Sequence, residues 1–328
     1  MELGEWLSRG LQLTWRYKVL WIFGFLAALG AGGPPRLQGN LNLRMQTPPP
    51  SFPPGFGRML QRWLEQNWPL LVLALLGFFL FALLIQVLAL WGQGALILGG
   101  SAAAEGRSPG LGILARRATA RLLRLIGIMV LLGAPGFLIA LIFLLAIFGG
   151  FLLAFAQQVE SIRIATLLLA ILALLVFLGC LLLLAGVLHL WSRLALRAAL
   201  LEDLPWIAAL RRGLQVGLRR IGSLLLVWLV LDIGVLGVIT FILSFLAAIP
   251  LLAIGSVAFL AFFGGGGPVD PSAIFRFALV MALTALCLSV LIPLLLAPVI
   301  TFVETVWTLA YRSWIGGPAP AGEIPQAA

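Results

Sequence analysis

One carboxylate in this chain stands deep inside an apolar run. Asp232 follows Ile221 by three helical turns, roughly 16 Å into a helix that rises about 1.5 Å per residue, where an ionised side chain is costly. Such a group can relay a proton, coordinate a cation or hydrogen-bond within a bundle, so Asp232 is a transport or structural polar site. Gly234 and Gly237 lie beside it, and the equivalent depth of an earlier apolar run holds Gly133-Ala134-Pro135-Gly136. Interrupted helices at matched places of a repeated chain point to a binding site. Pro250, Pro293 and Pro298 are candidate kinks of the same kind.

Other reactive side chains are sparse. His189 is the only histidine, sits beside Trp191 at the end of an apolar run, and has no cysteine or carboxylate at metal-ligand spacing. It reads as an interfacial anchor. Cys180 and Cys287 fall inside apolar runs and behave there as small hydrophobes. With one histidine and 11 acidic residues, no Ser-His-Asp set and no metal cluster can be assembled, so neither an enzyme nor a cofactor is expected. Gly264 to Ser272 is a flexible turn without the spacing and the preceding strand that a phosphate-binding loop needs.

The elements that carry these residues follow from composition. The chain has 328 residues, 62% hydrophobic and 10% charged, far from the roughly 25% charged of soluble domains. Apolar stretches at 68–91, 125–156, 164–190, 221–263 and 274–300 each exceed the roughly 18 residues that mark a spanning helix. They are continuous and do not alternate, which excludes a membrane barrel. Val19 to Ala31 is shorter and spans only if Trp15, Tyr17 and the stem of Lys18 extend it through the interface. It also resembles the core of a secretory signal, but its patterned approach favours a retained first helix.

A tetrapeptide organises the whole. Arg9-Gly10-Leu11-Gln12 recurs as Arg212-Gly213-Leu214-Gln215, with a weaker copy from Arg117 to Arg124, at a spacing of roughly 100 residues. Each copy predicts an amphipathic helix: Leu7, Leu11 and Trp15 against Arg9, Gln12 and Arg16; Leu114, Ala118 and Leu122 against Arg117, Arg121 and Arg124; and Trp206, Leu210, Leu214 and Leu218 against Arg211, Gln215 and Arg219. The expected fold is therefore all-α and integral to the membrane: about six transmembrane helices as three hairpins, each preceded by an interfacial amphipathic helix. The units are 3–105, 107–203 and 204–315 within one membrane domain, 1–317, followed by a flexible tail, 318–328. Residues 32–67, rich in proline, form a largely disordered extracytoplasmic loop.

Charge fixes the topology. With six crossings starting inside, only Arg36, Arg44, Arg58, Arg62, Arg163 and Arg276 of the 21 basic residues fall outside. The positive-inside rule then puts both termini in the cytoplasm. The run 221–263, broken at Pro250, is open to one crossing or two. A net charge of +10 placed beside apolar runs fits anionic headgroups, not nucleic acid. Arg9, Arg16, Arg117, Arg124, Arg212 and Arg219 are candidate contacts for lipid or for a protein partner. Acidic residues at the ends of the returning helices, Glu105, Glu202 and Asp203, are placed for salt bridges to the next arginine helix.

The segment Trp15-Arg16-Tyr17-Lys18-Val19-Leu20-Trp21-Ile22-Phe23-Gly24-Phe25, with six spans and an acid with paired arginines after the returning helices, resembles a group of uncharacterised prokaryotic multi-pass proteins. These look similar to the membrane domain found beside glycerophosphodiester phosphodiesterases. No phosphodiesterase activity carries over, because the catalytic barrel and its acidic metal site have no counterpart here. Ala103-Ala104-Glu105-Gly106 is similar to the docking loop of an ABC-type permease, but the pattern that should follow is absent. The resemblance implies a membrane module of the prokaryotic plasma membrane. Two functions stay open: a non-enzymatic scaffold or accessory protein, and a small-solute or lipid transporter using Asp232.

Overall fold

The computed structural model describes residues 3–31, 56–108, 110–156, 160–263 and 271–316, and all regular structure among them is helical. In chain order these are α1 (Leu3–Arg16), α2 (Leu20–Ala31), α3 (Phe56–Ala104), α4 (Leu111–Ala156), α5 (Glu160–Leu201), α6 (Trp206–Arg219) and α7 (Ile221–Trp228). A π-helical stretch, Leu229–Gly237, leads into α8 (Val238–Phe263), and α9 (Pro271–Trp314) follows. Five stretches are long and apolar enough to cross a membrane. Helix α2, at 12 residues, reaches only about 18 Å at about 1.5 Å per residue, short of the roughly 30 Å hydrocarbon core.

Several boundaries differ from the sequence reading. α3 begins at Phe56, inside the segment expected to be a disordered loop. The last proline of that loop is Pro54, so nothing after it blocks helix formation; residues 32–55 lie outside those described, as does the tail from 317. Residues 221–263 are helical throughout, with Pro250 inside α8, so they supply one span and no turn back. The middle arginine segment is not a separate helix. It is the start of α4, because Leu114, Ala118, Leu125, Ile128 and Leu132 are buried in phase along one continuous face.

The chain forms two compact units that cut across the repeats. One comprises Met1–Arg9, Ile97–Leu229 and Thr305–Ala328; the other comprises Gly10–Leu96 and Val230–Glu304. In the first, burial gathers at the ends of the returning helices: Leu194 to Leu200 of α5 and Val306 to Tyr311 of α9 are almost wholly enclosed. The most apolar 18-residue windows of α3 and α5 contain no buried residue.

In the second unit, glycines let backbones meet. A Cβ on Gly24 would collide with the Ala297 carbonyl oxygen, and one on Gly92 would stand 2.9 Å from the Phe23 carbonyl oxygen. Helix α2 is thus held between α3 and α9, as small residues hold membrane helices generally. The Thr301 hydroxyl, which also donates to Ala297 O at 2.8 Å, lies 3.3 Å from Leu20 O. The Trp21 indole donates to Thr14 O at 3.1 Å, tying α2 to the end of α1. Replacing Gly24 by leucine is expected to lower unfolding stability in detergent by about 1–3 kcal/mol through overpacking. Gly77→Leu, with open space around its Cα, should change it by no more than about 0.5 kcal/mol.

Candidate functional site

The three arginine-headed segments bury the same positions. Trp6, Leu114 and Ala209 are buried, and so are Gly10, Ala118 and Gly213, each four residues on. Large apolar groups at equivalent outward positions are exposed: Trp15 at 56%, Leu123 at 83% and Leu218 at 64%. Each inward face thus sets a glycine or alanine beside larger buried groups such as Trp6, Leu114 and Leu210. A Cβ on Gly213 would stand 2.8 Å from the Ala195 backbone nitrogen, so α6 lies directly against α5. The expected apolar stripe of α6 divides accordingly: Leu210 packs inward, while Trp206, Leu214 and Leu218 face out.

The returning helices end alike. Gly106 (φ 74°), Asp203 (φ 54°) and Gly316 (φ 73°) each follow a helix end by two residues in the left-handed region. This is the usual way to close a helix and satisfy its last carbonyls. Arginines complete two of these ends. Arg9 Nη2 donates to Ala104 O at 3.1 Å, and Arg121 Nη1 donates to Leu200 O at 2.8 Å. In each case the arginine and the helix end it closes fall within one of the stretches 3–105 and 107–203. Arg312 Nη1 adds a bond to Ser101 O at 3.0 Å.

Ion pairs follow the same ends. Glu202 receives Arg212 Nε at 3.0 Å, the link expected between consecutive units. Asp203 instead meets Arg124 at 2.8 Å and Arg121 at 3.2 Å, arginines of its own unit. Glu105 pairs with Arg107 and with Arg312, the latter at 2.8 Å. Of the arginines singled out in the sequence, Arg9, Arg124 and Arg212 thus engage the protein's own carbonyls and carboxylates. Arg16, Arg117 and Arg219 are exposed.

A buried polar group that sequence reasoning missed sits close by. Arg193 and Arg197 approach the Trp307 ring at 5.6 and 5.7 Å, a cation–π arrangement, and Arg197 is fully enclosed. Arg197 Nη1 donates to Arg193 O at 2.9 Å, and Arg193 Nε donates to His189 Nε2 at 3.0 Å. The Tyr311 hydroxyl donates to Glu202. Arginines four apart at the end of an apolar run were the available signal; counting them as topology markers concealed it.

No protein-family model, curated protein or solved structure matches this chain. The functional reading therefore rests on the residues themselves. Asp232 lies in the π-helical stretch, half-buried, with its Oδ1 sealed from solvent. The wide turn there brings Gly237 close: a Cβ on it would stand 3.2 Å from Asp232 O. Wide turns of this kind recur at functional positions of helices. Cys180 and Cys287 are free and exposed on their helices. Among the described residues, no group of three or more His, Cys, Asp or Glu is placed to hold a metal ion.

The two neighbouring acids should differ in weight. Glu202, whose side chain is 22% exposed, serves two donors, so Glu202→Gln should destabilise the protein by about 1–3 kcal/mol. Asp203 is 62% exposed, and Asp203→Asn, which tolerates the left-handed backbone, should cost less than about 1 kcal/mol. Unfolding of the purified variants in mixed detergent micelles measures both.

Proposed function

We propose that this chain is a non-enzymatic membrane scaffold or accessory module of a prokaryotic plasma membrane. In this reading it forms three hairpins, with α2 as the sixth crossing, both termini in the cytoplasm, and the arginine-headed segments along the inner surface. The resemblance to the multi-pass proteins that look like phosphodiesterase membrane domains is part of the same proposal. One observation carries it: each arginine-headed segment leaves a large apolar residue exposed at the same position, Trp15, Leu123 and Leu218, close to its arginines. In α6, Trp206, Ile207, Leu214 and Leu218 are exposed beside Arg211, Arg219 and Arg220. Such a face suits the boundary between headgroups and acyl chains, with the arginines on anionic phosphates. The outward face is also where a protein partner in the membrane or the cytoplasm would dock.

Two measurements test this. Single cysteines placed at Arg117 and Arg219 in a background lacking Cys180 and Cys287 should be labelled by a membrane-impermeant maleimide only after the inner face is opened. Labelling in intact cells would overturn the orientation. Purification from native membranes should bring down a protein or an enriched anionic lipid, and loss of that companion in Arg117→Gln/Arg219→Gln would assign the contact.

A second reading, a small-solute or lipid transporter, is favoured by Asp232 within its π-helical turn. Here Asp232→Asn should abolish a proton- or cation-dependent flux while leaving the amount of folded protein unchanged. Unaltered growth and flux in that variant would remove the residue on which this reading depends.

A further inference from the structure

The end of α3 gathers three guanidiniums around one carboxylate among the described residues. Arg9 reaches Ala104 O, Arg312 reaches Ser101 O and Glu105, and Arg107 pairs with that same carboxylate. Three guanidiniums and a single carboxylate therefore meet at one helix end. Burial and, after it, the charge of Arg312 hold the Arg9 guanidinium below its ordinary value, as two cations packed together require.

Among the described residues, two donors at this place have no acceptor. The Arg9 Nε–H and the Trp6 Nε1–H are both sealed from solvent without a hydrogen-bond partner, and Trp6 is only 7% exposed. The two residues are three apart on α1 and so share a face. Trp6 is held edge-on against Trp314 at 6.1 Å, two residues beyond Arg312. Leaving a buried N–H unpaired costs about 1–3 kcal/mol. A phenylalanine would give much the same packing without that penalty. A water molecule could accept a bond, but it would leave the excess charge unbalanced. A tetrahedral oxyanion meets both needs, since its oxygens accept from several directions while its charge faces the guanidiniums.

We infer that Trp6, Arg9 and Arg312 form a binding site for a phosphate group, supplied by free phosphate or by a phospholipid headgroup. The site goes beyond the scaffold proposal and does not involve the exposed Arg117 and Arg219, so failure of the labelling or companion experiments would leave it standing.

The test uses the full chain purified in a neutral maltoside detergent, with thermal unfolding followed at constant ionic strength. The additions are inorganic phosphate against chloride, and dihexanoyl phosphatidylglycerol against dihexanoylglycerol. Phosphate, the phospholipid or both should raise the midpoint by about 2 °C. Stabilisation by inorganic phosphate assigns the site to the bare anion, and stabilisation by the phospholipid alone assigns it to the headgroup. The shift should vanish in Trp6→Phe, which keeps the ring packing, and in Arg9→Gln, and it should persist in Lys18→Gln. If Arg9→Gln does not fold, Trp6→Phe decides. No shift with either addition, or an undiminished shift in Trp6→Phe, overturns the inference.

Discussion

A helix that emerges from hydrocarbon ends with carbonyls that its own backbone cannot satisfy, and the described helices of this protein are organised around that requirement. The returning helices α3, α5 and α9 each close through a left-handed residue. Arg9 and Arg121 then carry charge to carbonyls at the ends of α3 and α5. The negative end of the helix dipole favours a cation at this place. Each arginine comes from an earlier segment of the chain, so closing the helix end also ties α1 to α3 and α4 to α5. Asp203 shows the cost and the return together: a left-handed non-glycine residue is strained, but its carboxylate receives Arg121 and Arg124.

Packing is distributed to match. The most apolar windows of α3 and α5 are unburied, because lipid tails solvate leucine as well as another leucine does. Close contact occurs instead where glycine and alanine let backbones approach, at Gly24 and Gly92 within one unit and at Gly213 within the other. Trp307, Arg197 and Tyr311 fill the first unit with aromatic and charged groups. Buried arginine requires paired or aromatic surroundings, and Trp307 supplies an aromatic face to both Arg193 and Arg197.

The continuous apolar runs made the long helices legible, since nothing except a helix buries so many consecutive aliphatic residues. Arg9-Gly10-Leu11-Gln12 and its copies are alike in sequence, and Gly10, Ala118 and Gly213 are buried at corresponding positions in them. What sequence periodicity could not give was the direction of the faces. It grouped Leu210 with Leu214 and Leu218, although close helix packing selects glycine for the inward side. The sequence set each arginine segment apart from the apolar run after it, which fits α6 and α7 but not the middle segment, joined into α4 where its buried face stays in phase. The pairing of Glu202 with Arg212 was readable from spacing along the chain. The pairing of Asp203 with Arg124 depends on α4 lying against α5.

The π-helical stretch around Asp232 has a consequence for the history of this chain. Its wider turns rotate successive residues by less than an α-helix does, so the stripe before Leu229 and the stripe after Gly237 are out of register with a uniform 3.6-residue repeat. A residue gained or lost between them can be absorbed by widening or narrowing the turn, leaving both flanking stripes facing as before. Residues 229–237 are thus the part of this long helix in which insertions and deletions are most readily accommodated, and the place where Asp232 could change neighbours without any other contact being remade.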